Sequence, residues 1–124
     1  MKKRQGADKM KTNYNYDYDE ENDILYIYRQ PKNNSRIKGS LDVANFVIDI
    51  NYDNNVSGLE ILDSSEVLKN IGIKEPREVL QNIQKVQINA VRHKDSIVVN
   101  YTILSKVHDK QEKIGASVAV PVGH

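Results

Sequence analysis

The chain has 124 residues and a mass of 14.2 kDa, and its 18 basic and 17 acidic side chains leave a formal net charge of +1. This balance excludes a globally basic nucleic-acid coat protein and an acidic solvating tail, and the length predicts one compact domain and not two. Because the sequence contains no cysteine, disulfides, thiolate metal ligands and a cysteine nucleophile are excluded.

The N-terminal segment is basic and polar. Residues 1–12 contain five basic residues, one acidic residue and no apolar run, so we predict a disordered basic tail. The sequence YNYDYDEEND follows this segment where an apolar run would be needed. Neither a signal peptide nor a membrane span is therefore expected, and the sequence predicts a cytoplasmic protein. Residues 13–124 are predicted to form the single domain.

Charge is unevenly distributed within that domain. Residues 13–68 hold four basic and eleven acidic residues, a net charge of −7, whereas residues 69–124 hold nine basic and five acidic residues, a net charge of +4. This asymmetry fits either charge complementarity within or between subunits or ordinary solvated faces. The second interpretation is favoured, because single surface ion pairs contribute little free energy.

The first elements in chain order are predicted to be strands. The 13 valines and 13 isoleucines outnumber the 7 leucines and 5 alanines, and β-branched side chains fit a pleated sheet better than a helix face. Alternate residues place two sets of side chains on two strand faces, with EEND as the turn of a hairpin between them: Tyr14, Tyr16 and Tyr18 in the first strand, and Ile24, Tyr26 and Tyr28 in the second.

A second hairpin is predicted after Pro31 and a polar loop. A weak strand runs through Ile37, a stronger one covers NFVIDI at 45–50, and VSGLEIL at 56–62 returns after the interruption NYDNN.

Two short helices are predicted next. Asp63 is expected to cap the first, with Glu66 three residues later, and Gly72 is expected to end it in a left-handed conformation. Pro76 suits the first turn of the second helix. Each helix carries a short apolar stripe that we expect to pack on the sheet, formed by Val67, Leu68 and Ile71 in the first and by Val79, Leu80 and Ile83 in the second.

After residue 84 the apolar period returns to two, which predicts a three-stranded meander with a turn at HKDS. The fold class is therefore α+β, mostly antiparallel β-sheet, with two hairpins, two short helices and then the meander.

Three sequence blocks, YDEENDILYI at 18–27, VIDI at 47–50 and VSGLEILDSS at 56–65, resemble the prokaryotic family named domain of unknown function 2283. The resemblance covers about residues 14–65, so residues 13–65 form a family-like β module and residues 66–124 an extension. It implies a fold and no chemistry. The family's characteristic positions fall on Tyr18, Asp19, Asp23, Leu25, Tyr26, Ile27, Asp49, Gly58, Glu60, Ile61, Leu62 and Ser65. Asn54 stands where the family prefers a turn glycine, and asparagine tolerates positive φ better than most residues.

A twelve-residue window has the oxygen spacing of an EF-hand calcium loop. Its positions one, three, five, seven, nine and twelve are Asp49, Asn51, Asp53, Asn55, Ser57 and Glu60. However, the flanking segments are β-branched and extended, and position six is Asn54 instead of glycine. A polar hairpin turn is therefore favoured over a metal site.

The remaining carboxylates also have two interpretations. The cluster in the first turn, together with Asp49, Glu60 and Asp63, fits either a magnesium or acid/base site or a solvated acidic turn, and the second is favoured. Glu60 is the exception, because it lies inside a strand beside Gly58. No catalytic residue or cofactor is assigned, and an enzyme is not expected.

Nucleic-acid binding is not expected either. The two helices have the length of a helix-turn-helix, but Glu75 and Glu78 at the start of the second would repel phosphate. The basic side chains of residues 1–12 are compatible with weak binding to nucleic acid, although a basic disordered tail is the more common explanation.

We therefore predict a protein–protein interaction or self-associating module. A homodimer is expected to form through sheet edges or through the uncharged strand around Val118, Ala119 and Val120. There are two alternatives. One is an antitoxin-like regulatory protein with a protein partner, which some short members of the family resemble. The other is a carboxylate-based metal-dependent enzyme.

Overall fold

The computed structural model describes residues 14–29 and 37–122. The predicted tail at 1–12 and the predicted polar loop that begins at Pro31 lie outside these residues. The elements in chain order are β1 Tyr14–Asp19, β2 Ile24–Arg29, β3 Ile37–Val43, β4 Phe46–Asn51, β5 Val56–Ile61, α1 Ser64–Asn70, α2 Pro76–Gln81, β6 Ile83–Arg92, β7 Ser96–Val107 and β8 Lys110–Pro121. The predicted α+β class with mostly antiparallel sheet is confirmed.

The strands form two antiparallel sheets. The five-stranded sheet has the order β1-β2-β5-β4-β3, so the first hairpin pairs with the second through β2 and β5. The three-stranded sheet has the order β6-β7-β8 and is the predicted meander. Its second turn places His108 and Asp109 at φ 52 and φ 65, which is typical of a type I′ turn.

Each sheet has one face toward a shared core. In the first hairpin Tyr16 pairs with Ile27 and Tyr18 with Leu25, so the predicted alternation of faces is confirmed. One cluster of buried apolar residues includes side chains from both sheets and both helices. The Phe46 ring of β4 packs against this cluster and lies 6.0 Å from the buried Tyr101 ring of β7 between centroids, so the two sheets are in direct contact.

The helix boundaries follow some of the predicted signals. Gly72 has φ 101, and its N–H donates to the Lys69 carbonyl at 3.0 Å while the Ile73 N–H donates to the Leu68 carbonyl at 3.0 Å. This pair of bonds is the Schellman motif, so the predicted glycine stop is confirmed. Pro76 opens α2, as predicted.

Three predictions about the helices are wrong. Asp63 adopts φ 50 and makes no side-chain capping hydrogen bond, so the expected capping box does not form. Ile71 ends α1 and is 47% exposed because the chain turns away there toward Gly72. Ile83 is buried as the first residue of β6 and not as part of α2, because the helix has already ended at Gln81. No helix within residues 14–29 and 37–122 is long and apolar enough to cross a membrane.

Candidate functional site

The structure places seven of the family-motif positions in two side-chain clusters. The first, called the Asp23 cluster, contains Tyr18, Asp23 and Ser65 together with Ser64 and Arg77. The second, called the outer-face cluster, lies on the face of the five-stranded sheet that points away from the core. Its members are Tyr26, Ser40, Asp49, Gly58 and Glu60.

Asp23 occupies the last position of the turn between β1 and β2. It has φ 56 and is 9% exposed. Its carboxylate accepts hydrogen bonds from the Tyr18 hydroxyl at 2.7 Å, from Ser64 Oγ at 3.0 Å, and from Ser65 Oγ at 2.6 Å and Ser65 N–H at 3.1 Å. The Asp23 carbonyl also accepts from the Ser64 N–H at 2.9 Å. The N-terminus of α1 is therefore capped by a carboxylate distant in sequence, which replaces the expected Asp63 cap.

These bonds change the ionisation of two groups in the Asp23 cluster. Burial acts to raise the pKa of Asp23, but hydrogen bonds from Ser65, Tyr18 and Ser64 outweigh it, so the pKa lies below its ordinary value. The pKa of Tyr18 is raised to about 12 by burial, by its hydrogen bond to Asp23 and by the charge of that carboxylate. Both groups therefore keep their neutral-pH forms, an anion and a phenol, over a wide pH range.

Arg77 brings the second helix to the same cluster. Its guanidinium lies 4.0 Å from the Asp23 carboxylate and donates to the Glu20 carbonyl at 3.2 Å. The carboxylate thus neighbours a cation as well as four hydrogen-bond donor groups, and the β1–β2 turn contacts both helices. Asp19, another motif position, is the last residue of β1, and its carboxylate accepts from the Asn22 N–H and side-chain amide in the turn.

The outer-face cluster is built on Asp49 in β4. Its carboxylate accepts from the Tyr26 hydroxyl at 2.8 Å and from Ser40 Oγ at 2.8 Å, so each oxygen has one hydroxyl donor. Burial, the hydrogen bond to Asp49 and the charges of Asp49 and Glu60 raise the pKa of Tyr26. The Tyr26 ring stacks on Tyr28 with centroids 5.0 Å apart. The cluster is a half-exposed band of carboxylates and phenols across the sheet.

Gly58 forms the floor of this band. A Cβ atom at this position would lie 2.9 Å from the Tyr26 hydroxyl oxygen and 3.0 Å from Asp49 Oδ2. The absence of a Cβ atom at Gly58 therefore makes room for a tyrosine side chain. Glu60 lies on the same face of β5, directly opposite Tyr26 on β2, and is half-buried.

The residues of the calcium-like window do not converge. Asn51 is buried, and its side-chain oxygen accepts the N–H groups of Asp53 and Asn55 at 3.0 Å each. Asp53 is exposed in the turn, and Asn54 adopts φ 64 where the family prefers glycine. The side chains of Asp49 and Glu60 lie on the outer face of the sheet, away from this turn. Within residues 14–29 and 37–122, no group of three or more histidine, aspartate or glutamate side chains has an arrangement that could hold a metal ion.

Three participants were not predicted from the sequence. Ser64 and Arg77 join the Asp23 cluster, and Ser40 joins the outer-face cluster. The Ser-Ser pair at the start of α1 is a recognisable signal for a capped helix N-terminus. Ser40 has no such signal, because only the pairing of β3 with β4 places it opposite Asp49.

Comparison with known proteins gives a family match over the five-stranded sheet. Residues 15–65 match the model of a family described as protein of unknown function (DUF2283). The chain is 33% identical over 102 residues to an uncharacterized protein from Methanocaldococcus jannaschii, covering 82% of this chain and 81% of that one. The chain belongs to the DUF2283 family.

A second relative extends the comparison. A Methanosarcina mazei protein with the name "putative hypoxanthine phosphoribosyltransferase" is 34% identical over 92 residues, covering 67% of this chain and 72% of the relative. No solved structure matches this DUF2283 chain. Both alignments are longer than the segment that matches the family model, so the similarity is not confined to that segment.

The Asp23 cluster predicts a large difference between two aspartate substitutions. Asp23→Asn replaces a carboxylate that accepts charge-assisted hydrogen bonds, and we expect it to lower the free energy of unfolding by about 2 to 4 kcal/mol. Asp63→Asn is the matched control and should have little effect, since Asp63 makes no capping bond and asparagine tolerates its positive φ. Urea unfolding monitored by circular dichroism measures both. Equal losses in the two variants would contradict the assignment of the cap to Asp23.

The lowered pKa of Asp23 predicts acid sensitivity. The pKa of Asp23 in the folded chain lies below its ordinary value, so the unfolded chain takes up its proton first as the pH falls. Its stabilisation is therefore present above the ordinary aspartate pKa and is lost as the pH falls through the folded value. Between about pH 5 and pH 2 the urea midpoint should fall more steeply for the wild type than for Asp23→Asn. Parallel curves for the two proteins would show that Asp23 does not carry this pH dependence.

Gly58 predicts a steric test of the outer-face cluster. In Gly58→Ala the methyl group must displace the Tyr26 hydroxyl from Asp49, and we expect a loss of about 1 to 3 kcal/mol of stability. Gly115→Ala is the control, because a Cβ there meets no atom within 4 Å. The displaced hydroxyl should also titrate at a lower pH, as measured by ultraviolet absorbance. A Gly58→Ala protein as stable as the control, with unchanged tyrosine titration, would refute the close packing.

Proposed function

We propose that the protein is a self-associating module that works as a homodimer, and that two copies pair along the free edge of β8. The feature that carries this proposal is the position of β8 in its sheet. In the order β6-β7-β8 it is an edge strand. It pairs with β7 along its whole length, from Lys110 to Pro121, which lies opposite Ser96. At twelve residues it is one of the two longest strands among those described. Among the described residues no ladder includes its outer backbone groups, although β3 contacts β8 across the gap between the sheets.

The composition of β8 leaves that edge open to pairing. From Ile114 to Pro121 the sequence IGASVAVP has no charged residue. The outward positions Gly115, Ser117 and Ala119 are small and exposed. Natural proteins protect exposed edges with charges, prolines, bulges or covering elements, and within this segment only the terminal Pro121 is of that kind.

The inward side of β8 supports the same conclusion. Ile114 and Val120 are buried in the core, whereas Ala116 and Val118 lie between them and remain partly exposed. A second β8 strand alongside would remove more of their apolar surface from water, which is favourable at roughly 25 cal/mol per Å². Backbone ladder bonds would supply orientation, and apolar contacts would supply part of the affinity.

Two-fold symmetry fits this edge. Two copies of one strand related by a two-fold axis run antiparallel, so the uncharged segments would face each other and the charged residues at 110–113 would lie at the two ends. The two three-stranded sheets would then join into one continuous six-stranded sheet. Like charges would not meet at the centre of the interface.

The other described edges are less suited to pairing. β1 carries Asp17 and Asp19, and β6 lies beside β1 across the gap between the sheets, with the Tyr16 hydroxyl bonded to the Ile83 carbonyl at 2.8 Å. β3 carries Lys38 and Asp42 and has a register shift between Ile37 and Gly39. Charges and bulges of this kind discourage strand addition.

Neither enzymatic alternative has comparable support. The oxygens of Asp49 already accept hydroxyl donors, and the family motif gathers carboxylates, which would repel the phosphate of a phosphoribosyl group. We therefore transfer neither metal-dependent catalysis nor the transferase name of the Methanosarcina relative to this chain.

The test of self-association is a substitution at the β8 edge. By size-exclusion chromatography with light scattering at millimolar concentration, the wild type should have twice the monomer mass of 14.2 kDa. Ala119→Lys places a charge on the proposed interface and should restore the monomer mass. Ala90→Lys, at an exposed position of the other edge strand β6, is the matched control and should remain dimeric.

Two results would overturn the proposal. A wild-type protein of monomer mass at millimolar concentration would exclude the homodimer. A dimer that Ala119→Lys leaves intact would exclude the β8 edge as its interface. Circular dichroism of all three proteins establishes that each retains its sheet content, so that loss of the dimer is not loss of the fold.

A further inference from the structure

A cleft opens between the two sheets on the side of β3. Its lining comes from five parts of the fold: β3, the end of β4, the β4–β5 turn, the adjoining ends of β6 and β7, and the residue that follows β8. Its volume is about 330 Å³, which lies at the lower end of the range for small-molecule sites. The cleft is separate from the Asp23 cluster and does not depend on self-association.

The interior wall of the cleft is apolar. Four aliphatic side chains contribute to it, Leu41, Ile50, Ile97 and Val122. Ile97 is buried, and the other three are half-buried, so each still presents some apolar surface to the opening. A hydrocarbon group placed there would be removed from water on several sides.

Two cations flank this apolar wall. The Lys38 ammonium donates to Asn54 Oδ1 at 2.9 Å, and the Arg92 guanidinium donates to the Asn54 carbonyl at 3.1 Å. Both side chains are therefore attached to the same turn residue, although they come from different sheets. Each keeps further N–H donors, since an ammonium has three and a guanidinium five.

The electrostatic balance of the cleft is positive. Its lining contains Lys38 and Arg92 but no acidic residue. Within the described part of the chain neither cation lies within ion-pair distance of a carboxylate. This contrasts with the net charge of −7 over residues 13–68, which include Lys38. The two cations therefore provide charge that a bound anion could neutralise.

Two local features keep the cleft open. The register shifts between Ile37 and Gly39 in β3 and between Asp49 and Ile50 in β4, next to the lining residues. Such bulges bend a strand and redirect its side chains. Gly39 adds space, because a Cβ atom there would meet nothing within 4 Å.

We propose that this cleft binds a small organic anion with a short aliphatic tail. The anionic head, a carboxylate or a phosphate, is held by Arg92 and Lys38, and the tail lies on Leu41, Ile50 and Ile97. Both parts are required, because neither two exposed cations nor a half-open apolar wall alone provides selective binding.

The experiment uses the ¹⁵N-labelled full chain and four probes. Octanoate and octyl phosphate carry both head and tail, octanol lacks the charge, and acetate lacks the tail. We expect saturable amide shifts around Lys38, Asn54 and Arg92 with octanoate or octyl phosphate, and affinity at least tenfold weaker for octanol and acetate. Whichever of the two anions binds more tightly identifies the head group. Equal binding of octanol and octanoate, or no saturable shift with either anion, would overturn the proposal.

Two substitutions test the residues assigned to head and tail. Arg92→Gln should weaken octanoate binding about tenfold, whereas Lys106→Gln, which removes an exposed charge outside the cleft, should leave it unchanged. Gly39→Val should fill the cleft and abolish binding, whereas Ala90→Val, at an exposed position of β6 outside the cleft, should not. Binding that is insensitive to both cleft variants would place the ligand elsewhere and refute the site.

Discussion

The arrangement of the first hairpin and the two helices depends on the hydrogen bonds and the ion pair of the Asp23 carboxylate. Helices of seven and six residues are too short to be stable alone, so α1 and α2 need contacts from the rest of the chain. Asp23 supplies a cap to α1 through Ser64 and Ser65, and its neighbour Arg77 brings in α2. Because α1 and α2 connect the five-stranded sheet to the meander, this one carboxylate helps to set how the second sheet meets the first.

The family motif combines two physical roles. Tyr18, Asp23 and Ser65 form an anchor at one end of the sheet, whereas Asp49, Tyr26 and their glycine floor form a polar band on its open face. The anchor explains why an aspartate is needed in a turn and a serine forty-two residues later. The band shows why a glycine is needed inside a strand, since the tyrosine ring occupies the space of its Cβ. Folding contacts therefore account for most of the polar motif residues.

Local sequence signals predicted the elements well and their contacts poorly. The period of two located the strands, and Gly72 and Pro76 marked helix ends, because these signals depend on neighbouring residues. The Asp23 cap, the position of Ser40 opposite Asp49 and the pairing of β2 with β5 depend on residues far apart in the chain. The prediction that Asp63 caps α1 was wrong for the same reason, because the carboxylate of the distant Asp23 accepts the hydrogen bonds at this helix N-terminus. The sequence identified the motif residues of the candidate site, but it did not predict that they form two separate clusters.

The near-neutral charge of the chain conceals surfaces of different character. Acidic residues on the outer face of the five-stranded sheet contrast with the cations of the cleft and with the uncharged edge of β8. The cleft and the edge meet at the end of β8, where Val122 lines the cleft and its N–H donates to the Asp95 carbonyl at 3.0 Å. A partner strand along β8 and an anion against Val122 would restrain the same segment. Because coupling between two binding sites is reciprocal, occupation of one would strengthen or weaken the other by an equal factor. Self-association and anion binding, though proposed from separate observations, would therefore be coupled through the position of one strand end.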